Sequence, residues 1–187
     1  MERKRIDYKD LTEILKELDS SLASYKNVRL VAIGGTALNL MRLKRSTADV
    51  DFVLENNDPI LKADILLYLE KQGYSGHIQD RGTIVSYNLP EDYLAKAKKT
   101  YGINRNLKHI ELLVMNPIDL IISKLARYNT ADKQDITQLL NHFNPSWRKI
   151  KQRFNQFYDR FQGNKANLQF KFELFSSLFK ELKRKKQ

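Results

Sequence analysis

The 187-residue chain has a mass of 22.0 kDa, enough for one domain or one with a small extension, which excludes a long multidomain enzyme. Its 42% hydrophobic and 29% charged residues exclude disorder throughout, and the absence of cysteine excludes disulfides, thiolate zinc sites and cysteine nucleophiles. The net charge of +11 is unevenly spread: from Pro145 to Gln187 twelve Lys and Arg stand against three Asp and Glu, and in the remainder twenty-one stand against nineteen.

In chain order, Leu11, Ile14, Leu15, Leu18 and Leu22 recur at helical spacing and predict an amphipathic helix from Tyr8 to about Ser24. Val28 to Ile33 is a β-branched, apolar run stopped by Gly34-Gly35, the pattern of a buried strand entering a tight turn. A short helix is expected from Thr36 to about Leu43. Asp49 to Leu54 reads DVDFVL, a strand with both carboxylates on one face and Val50 and Phe52 on the other. Asp58-Pro59 supplies the N-cap and first position of a helix that ends at Gly73. A strand is expected over Thr83 to Leu89, a short helix or ordered loop over Glu91 to Lys99, and a strand over Lys108 to Met115. Asn116-Pro117 begins a further helix through about Tyr128, followed by another from about Ala131 to Phe143.

Beyond Asn144-Pro145 the composition shifts to Phe, Lys, Arg and Gln. Trp147, Ile150, Phe154, Phe157 and Phe161 lie at helical spacing, Gly163-Asn164 interrupts, and Leu168, Phe172, Phe175, Leu178, Phe179 and Leu182 continue. This pattern predicts a helical hairpin whose aromatic stripe packs as core. The expected organisation is therefore residues 1–143 as one domain and 144–187 as a basic helical subdomain. The basic block suits a polyphosphate, an RNA backbone or an acidic partner, or else is a solvated helix face.

The chemistry-bearing unit is the strand, the Gly34-Gly35-Thr36 turn, the short helix and the acidic strand. A strand that ends in Gly-Gly exposes backbone N–H groups at a helix start, where phosphate is favoured. Asp49 and Asp51 point the same way from the next strand, and paired hard oxygen ligands hold Mg²⁺ while leaving positions for water and phosphate oxygens. Phosphoryl transfer requires mainly such positioning and charge neutralisation. His77, His109 and His142 are scattered, without zinc-site spacing.

The stretch IGGTALNLMRLKRSTADVDFVL resembles the signature of the DNA polymerase β-type nucleotidyltransferase superfamily. Its Arg45-Ser46-Thr47-Ala48-Asp49-Val50-Asp51 run is similar to the Arg-x-(Ser/Thr)-x-Asp-x-Asp version in minimal enzymes related to the abortive-infection (AbiEii-type) toxins. Downstream, NPIDLIISKLARYNTADKQDI resembles their Asp-Leu-Ile-x-x-Lys-Leu segment and following Asp-x-x-Asp-Ile, with Lys124, Asp132 and Asp135 on those positions. The resemblance spans about Leu30 to Leu139 and implies an α/β (α+β) fold, a nucleotidyltransferase-type mixed sheet of four or five strands flanked by helices.

The resemblance also implies roles. Asp49 and Asp51 would ligate Mg²⁺ or Mn²⁺, and Glu111 would complete the metal site or accept the proton of the attacking hydroxyl. Gly34, Gly35 and Thr36 would hold phosphates, and Lys124 would place a charge on the triphosphate. Arg45 and Thr47 belong to the same nucleotide-binding run, Arg45 either reaching phosphate or buttressing the strand. Asp132 and Asp135 are further site candidates, or acids stabilised by a helix dipole. Asp119 is accounted for by capping.

The implied activity is Mg²⁺-dependent transfer of an NMP from an NTP to a hydroxyl of RNA, with a tRNA end foremost, or of a protein. By association, the enzyme would be the toxin of a toxin–antitoxin pair with a cognate antitoxin as partner. The alternative is a catalytically inactive module of the same fold that binds RNA or a protein through its basic C-terminal helices. No apolar run approaches the roughly 18 residues of a membrane span, and the MERKRIDYKD start has no apolar core of a secretory signal. No membrane partner is expected, and the expected compartment is the cytoplasm.

Overall fold

The computed structural model describes residues 4–80 and 89–185. The chain forms two compact units, one of Met1–Thr83 with Leu94–Met115, the other of Ile84–Tyr93 with Asn116–Gln187. No helix among the described residues is long and apolar enough to cross a membrane.

The first unit begins with β1 (Ile6–Asp7) and α1 (Tyr8–Ser21). Asp7 caps α1 reciprocally: its carboxylate accepts from the N–H groups of Lys9 and Asp10, and the Asp10 carboxylate accepts from the Asp7 N–H. The helix buries Leu11, Ile14, Leu15 and Leu18, the spacing expected of one apolar face. Next come β2 (Val28–Ala32), α2 (Gly34–Leu40), β3 (Ser46–Thr47) and β4 (Asp49–Leu54). The helix α3 (Pro59–Lys71) starts at Asp58, which caps Ile60 and Leu61. It is followed by β5 (Ser75–Asp80), β6 (Lys98–Lys99), the short α4 (Tyr101–Asn104) and β7 (Ile110–Val114).

Five of these strands form one mixed sheet in the order β5-β4-β2-β7-β6. The β4/β5 and β2/β7 pairs are parallel, and the β2/β4 and β6/β7 pairs antiparallel. The central strand β2 is apolar apart from Arg29 and buries Val28, Leu30, Val31 and Ala32 completely, as a strand covered on both faces must. A separate two-stranded ladder joins β1 to β3, with Ile6 opposite Thr47.

The mixed sheet with flanking helices and a C-terminal helical region agrees with the α/β expectation. Four features were not anticipated: the strand β5, the β1/β3 ladder, the strand β6 at Lys98–Lys99, where a short helix or ordered loop was expected, and the short helix α4. In addition, α2 starts at Gly34 rather than Thr36. The strand expected over Thr83 to Leu89 lies, apart from Leu89, outside the described residues.

The second unit contains a 3₁₀ turn at Glu91–Tyr93 and the helices α5 (Pro117–Leu125), α6 (Thr130–Phe143), α7 (Trp147–Arg160) and α8 (Lys165–Arg184). Each helix has a side-chain cap at its start, from Asn116, Asn129, Ser146 and Asn164 in turn. Aromatic rings knit α7 to α8: Phe154 stacks on Phe172 at 3.7 Å between centroids, and Trp147 contacts Phe172, Phe175 and Phe179. The buried Arg153 on α7 forms a bidentate pair with the buried Asp119 on α5 (2.5 and 3.0 Å) and reaches Asp92 (2.5 Å). Asp119 is therefore an ion-pair anchor, beyond the capping role read from its position. The second unit groups α5 and α6 with the C-terminal helices and begins this part of the chain at Asn116, and α5 is bonded to α7 through Asp119 and Arg153.

Candidate active site

The turn after β2 and the strand β4 are fitted to each other through side chains that permit no bulk. Gly34 has φ +55°, and a Cβ there would stand 3.0 Å from Asp51 Oδ2. A Cβ on Gly35 would stand 2.6 Å from Thr47 Oγ1. The two halves of the motif thus meet in space, and the glycines are where the acidic strand approaches the turn. The first turn of α2 leaves the N–H groups of Gly34, Gly35 and Thr36 without intrahelical acceptors.

Hydroxyl groups fix the backbone of the aspartates. Thr36 is fully buried, and its Oγ1 donates to the Asp49 carbonyl (3.1 Å) while accepting from the Asp51 N–H (2.9 Å). Thr47 Oγ1 donates to the same Asp49 carbonyl at 3.1 Å. The Ile33 N–H donates to the Asp51 carbonyl at 3.1 Å. Three residues, Ile33, Thr36 and Thr47, therefore hold the Asp49–Asp51 segment, and both carboxylates remain partly exposed. Thr36 was expected at phosphate, and with its hydroxyl committed to β4 what this residue offers a ligand is its backbone N–H. Arg45 is exposed, and its carbonyl accepts from Asn39 Nδ2 at 3.4 Å.

Oxygen ligands of this kind fit Mg²⁺ or Mn²⁺. Magnesium is held by one or two carboxylates and keeps its remaining positions for water and phosphate, and two half-exposed carboxylates on one strand face supply that much. Among the described residues no group of three His, Cys, Asp or Glu side chains is gathered that could hold a metal ion.

The structure does not bring Glu111 to this pair. Glu111 lies opposite Arg29 in the β2/β7 register, whereas Phe52 lies opposite Ala32. Asp51 is one row further still, about 13 Å along the strands from Glu111 at ~3.3 Å per residue. The Glu111 carboxylate pairs with Lys99 and with Arg29 (2.9 Å), and Arg29 also pairs with Glu55 (2.8 Å). The bond from Lys99, then the charge of Arg29, outweigh burial and hold the Glu111 carboxyl below its ordinary range, which makes it a poor proton acceptor. Its position is that of a charge-network member.

Lys124, Asp132 and Asp135 are brought together within the second unit. Lys124 is buried on α5, 2.7 Å from Asp135 and 3.5 Å from Asp132 on α6, and Arg127 reaches Asp132 at 3.0 Å. Both acids are buried, and Asp132 lies in the first turn of its helix, where its N–H is capped by Asn129.

One neighbour of the aspartate pair escaped the sequence reading. His77 on β5 lies opposite Asp51 in the β4/β5 register, with Nδ1 3.2 Å from Asp51 Oδ1. The signal was absent because SGHIQD carries neither alternation nor a β-branched run, so no strand and no facing partner was foreseen.

A family model described as nucleotidyltransferase of unknown function (DUF6036) matches residues 9–180. The match runs beyond the Leu30 to Leu139 stretch of the motif resemblance and takes in the C-terminal helices. No curated protein and no solved structure matches the chain. With residues 9–180 covered, the turn, the acidic strand and the helical unit all lie inside the match, and the chain belongs to this DUF6036 family of nucleotidyltransferases.

Proposed function

We propose that the chain transfers a nucleoside monophosphate from an NTP to a hydroxyl of RNA, a tRNA end foremost, or of a protein. The observation that carries this reading is the Asp49–Asp51 pair, held by Thr36 and Thr47 against the Gly34-Gly35 turn. Family membership supports nucleotidyl transfer in general, and the acceptor is the proposal's own step.

In this reaction the hydroxyl oxygen forms a bond to the α-phosphorus, the bond from that phosphorus to the bridging oxygen breaks, and pyrophosphate leaves. The hydroxyl proton passes to a base or to water. Asp49 and Asp51 would hold a Mg²⁺ or Mn²⁺ ion, which when bound would supply charge neutralisation at the phosphates and a lower pKa for the attacking hydroxyl. The turn N–H groups offer donors to phosphate oxygens, and the fixed β4 backbone keeps the two carboxylates in one orientation. Exposed cations on α7 and α8, among them Arg148, Lys149, Lys151, Lys180 and Arg184, favour a nucleic-acid acceptor over a protein one. The similarity of the Arg45 to Asp51 run to the abortive-infection enzymes supports a growth-inhibiting role with an antitoxin partner.

The test is incorporation of α-labelled ATP, GTP, CTP and UTP into total cellular RNA with Mg²⁺. The wild type should label RNA, and the Asp49→Asn, Asp51→Asn double variant should lose the signal while keeping its fold by circular dichroism. Labelling by the variant at the wild-type level would contradict the proposal.

A further inference from the structure

We propose that the groove between α6 and α8 is a self-association surface, covered by the same groove of a second copy of the chain about a two-fold axis. The inference concerns the second unit alone and is independent of the Asp49–Asp51 reading. Helices α6 and α8 run side by side in one direction: Lys171 donates to the Ala126 carbonyl just before α6 (2.6 Å), and Lys183 bonds Asn144, the residue that ends α6. Between the two helices lies a groove of about 550 Å³, with Lys133, Gln134 and Gln138 on the α6 wall and Leu174, Leu178 and Glu181 on the α8 wall.

The outer face of α8 is apolar where it meets water. Phe170 is 58% and Leu174 43% exposed, and Leu178 follows at the same step of four, which sets the three side chains in one row along the helix. A contiguous exposed apolar row of this kind marks a contact surface, where a single exposed leucine does not. The charges at its ends indicate what covers it. Lys133 stands near the start of α6, its Nζ 5.1 Å from the centre of the Tyr128 ring, and Glu181 stands near the end of α8, about 10 Å along the helix from Leu174. Since the helices run the same way, the groove has a cation at one end and an acid at the other. A two-fold axis across the groove exchanges the ends, so that Lys133 of each copy faces Glu181 of the other, while Leu174 and Leu178 of one meet Leu178 and Leu174 of the other. An isologous contact requires this self-complementarity. Glu181 pairs with Lys185 at 2.6 Å, both side chains being mostly exposed, and such a pair contributes too little to stop the acid from taking a second cation.

The test is sedimentation equilibrium on the full chain over about 1–100 µM, the weak end of what protein interfaces reach. The wild type should form dimers. Leu174→Glu, at an exposed position, should leave the circular dichroism spectrum unchanged and the chain monomeric. Lys133→Glu and Glu181→Lys each set like charges against one another in a homodimer, and each alone should raise the dimer dissociation constant by about tenfold or more. Mixed in equal amounts, these two variants should associate as tightly as the wild type, because every pair then joins opposite charges. A wild type that stays monomeric would overturn the proposal and leave the groove to a different partner. A dimer that ignores these substitutions would overturn it by placing the contact on another face. Single variants that weaken the dimer without restoring it on mixing would overturn the two-fold pairing of Lys133 with Glu181.

Discussion

Thr36 does more for the aspartates than any residue in the Asp-x-Asp motif itself. Its hydroxyl is donor to one of their backbones and acceptor from the other. Thr36→Val keeps the shape and removes the acceptor of the part-buried Asp51 N–H, at a cost of about 1–3 kcal/mol. Urea unfolding should show that loss, and nucleotidyl transfer should fall with it. The glycines separate backbone strain from contact. Gly34 (φ +55°) and Gly73 (φ +73°) both occupy the left-handed region, but a Cβ on Gly73 meets nothing within 4 Å, whereas one on Gly34 meets Asp51. Alanine at either position should cost about 1–2 kcal/mol, and activity should drop for Gly34→Ala alone, as a transfer assay on both variants will reveal.

At the scale of elements, an acid on α1 fastens β7. Asp19 is buried, and its carboxylate accepts the N–H groups of Lys108, His109 and Ile110 at 2.7–2.9 Å. Burial pushes its carboxyl up, but the three backbone donors outweigh burial and hold it below the reference value of 3.8. A carboxyl lowered by folding stabilises the native state above its unfolded pKa, and that stability is lost as pH falls through the folded value. Acid unfolding of the wild type should therefore steepen below about pH 4, and Asp19→Asn, followed by circular dichroism from pH 2 to 7, should show lower stability at neutral pH with a flatter acid slope. The elements that a periodic or capped sequence announces were legible: α1, β2, β4, α3 and the four helices of the second unit. The strand β5 was not, since of SGHIQD it buries only Ile78, and a strand so polar is recognised by its partner β4 and not by its own composition. His77 was hidden with it. The distance of Glu111 from the aspartate pair was not legible for a related reason: alternation in HIELLV indicates a strand and its faces, while register decides which row a side chain occupies.

At the scale of the whole molecule, the division into two units depends on contacts that sequence does not rank. Arg153 counts in the composition as one more cation of a basic tail, yet it is buried and paired with Asp119 and Asp92, so the tail's charge is partly structural. Burial, by its own effect, lowers the guanidinium pKa, but bonds from Asp119 and Asp92 raise it further than burial lowers it, and the pair stays ionised. Arg153→Met removes both guanidinium bonds to the buried Asp119 carboxylate, and breaking that buried pair should destabilise the second unit by about 3–5 kcal/mol, read as early exchange of α5 and α7 amides by hydrogen–deuterium exchange. The central claim concerns the first unit, that Asp49 and Asp51 move the α-phosphoryl group of an NTP. It is tested most directly by supplying the preferred NTP labelled once at the α and once at the γ phosphate, to the wild type and to the Asp49→Asn, Asp51→Asn variant. The account predicts α label in the acceptor and γ label in released pyrophosphate, both lost in the variant. Gamma label in the acceptor, or transfer that survives in the variant, would contradict it.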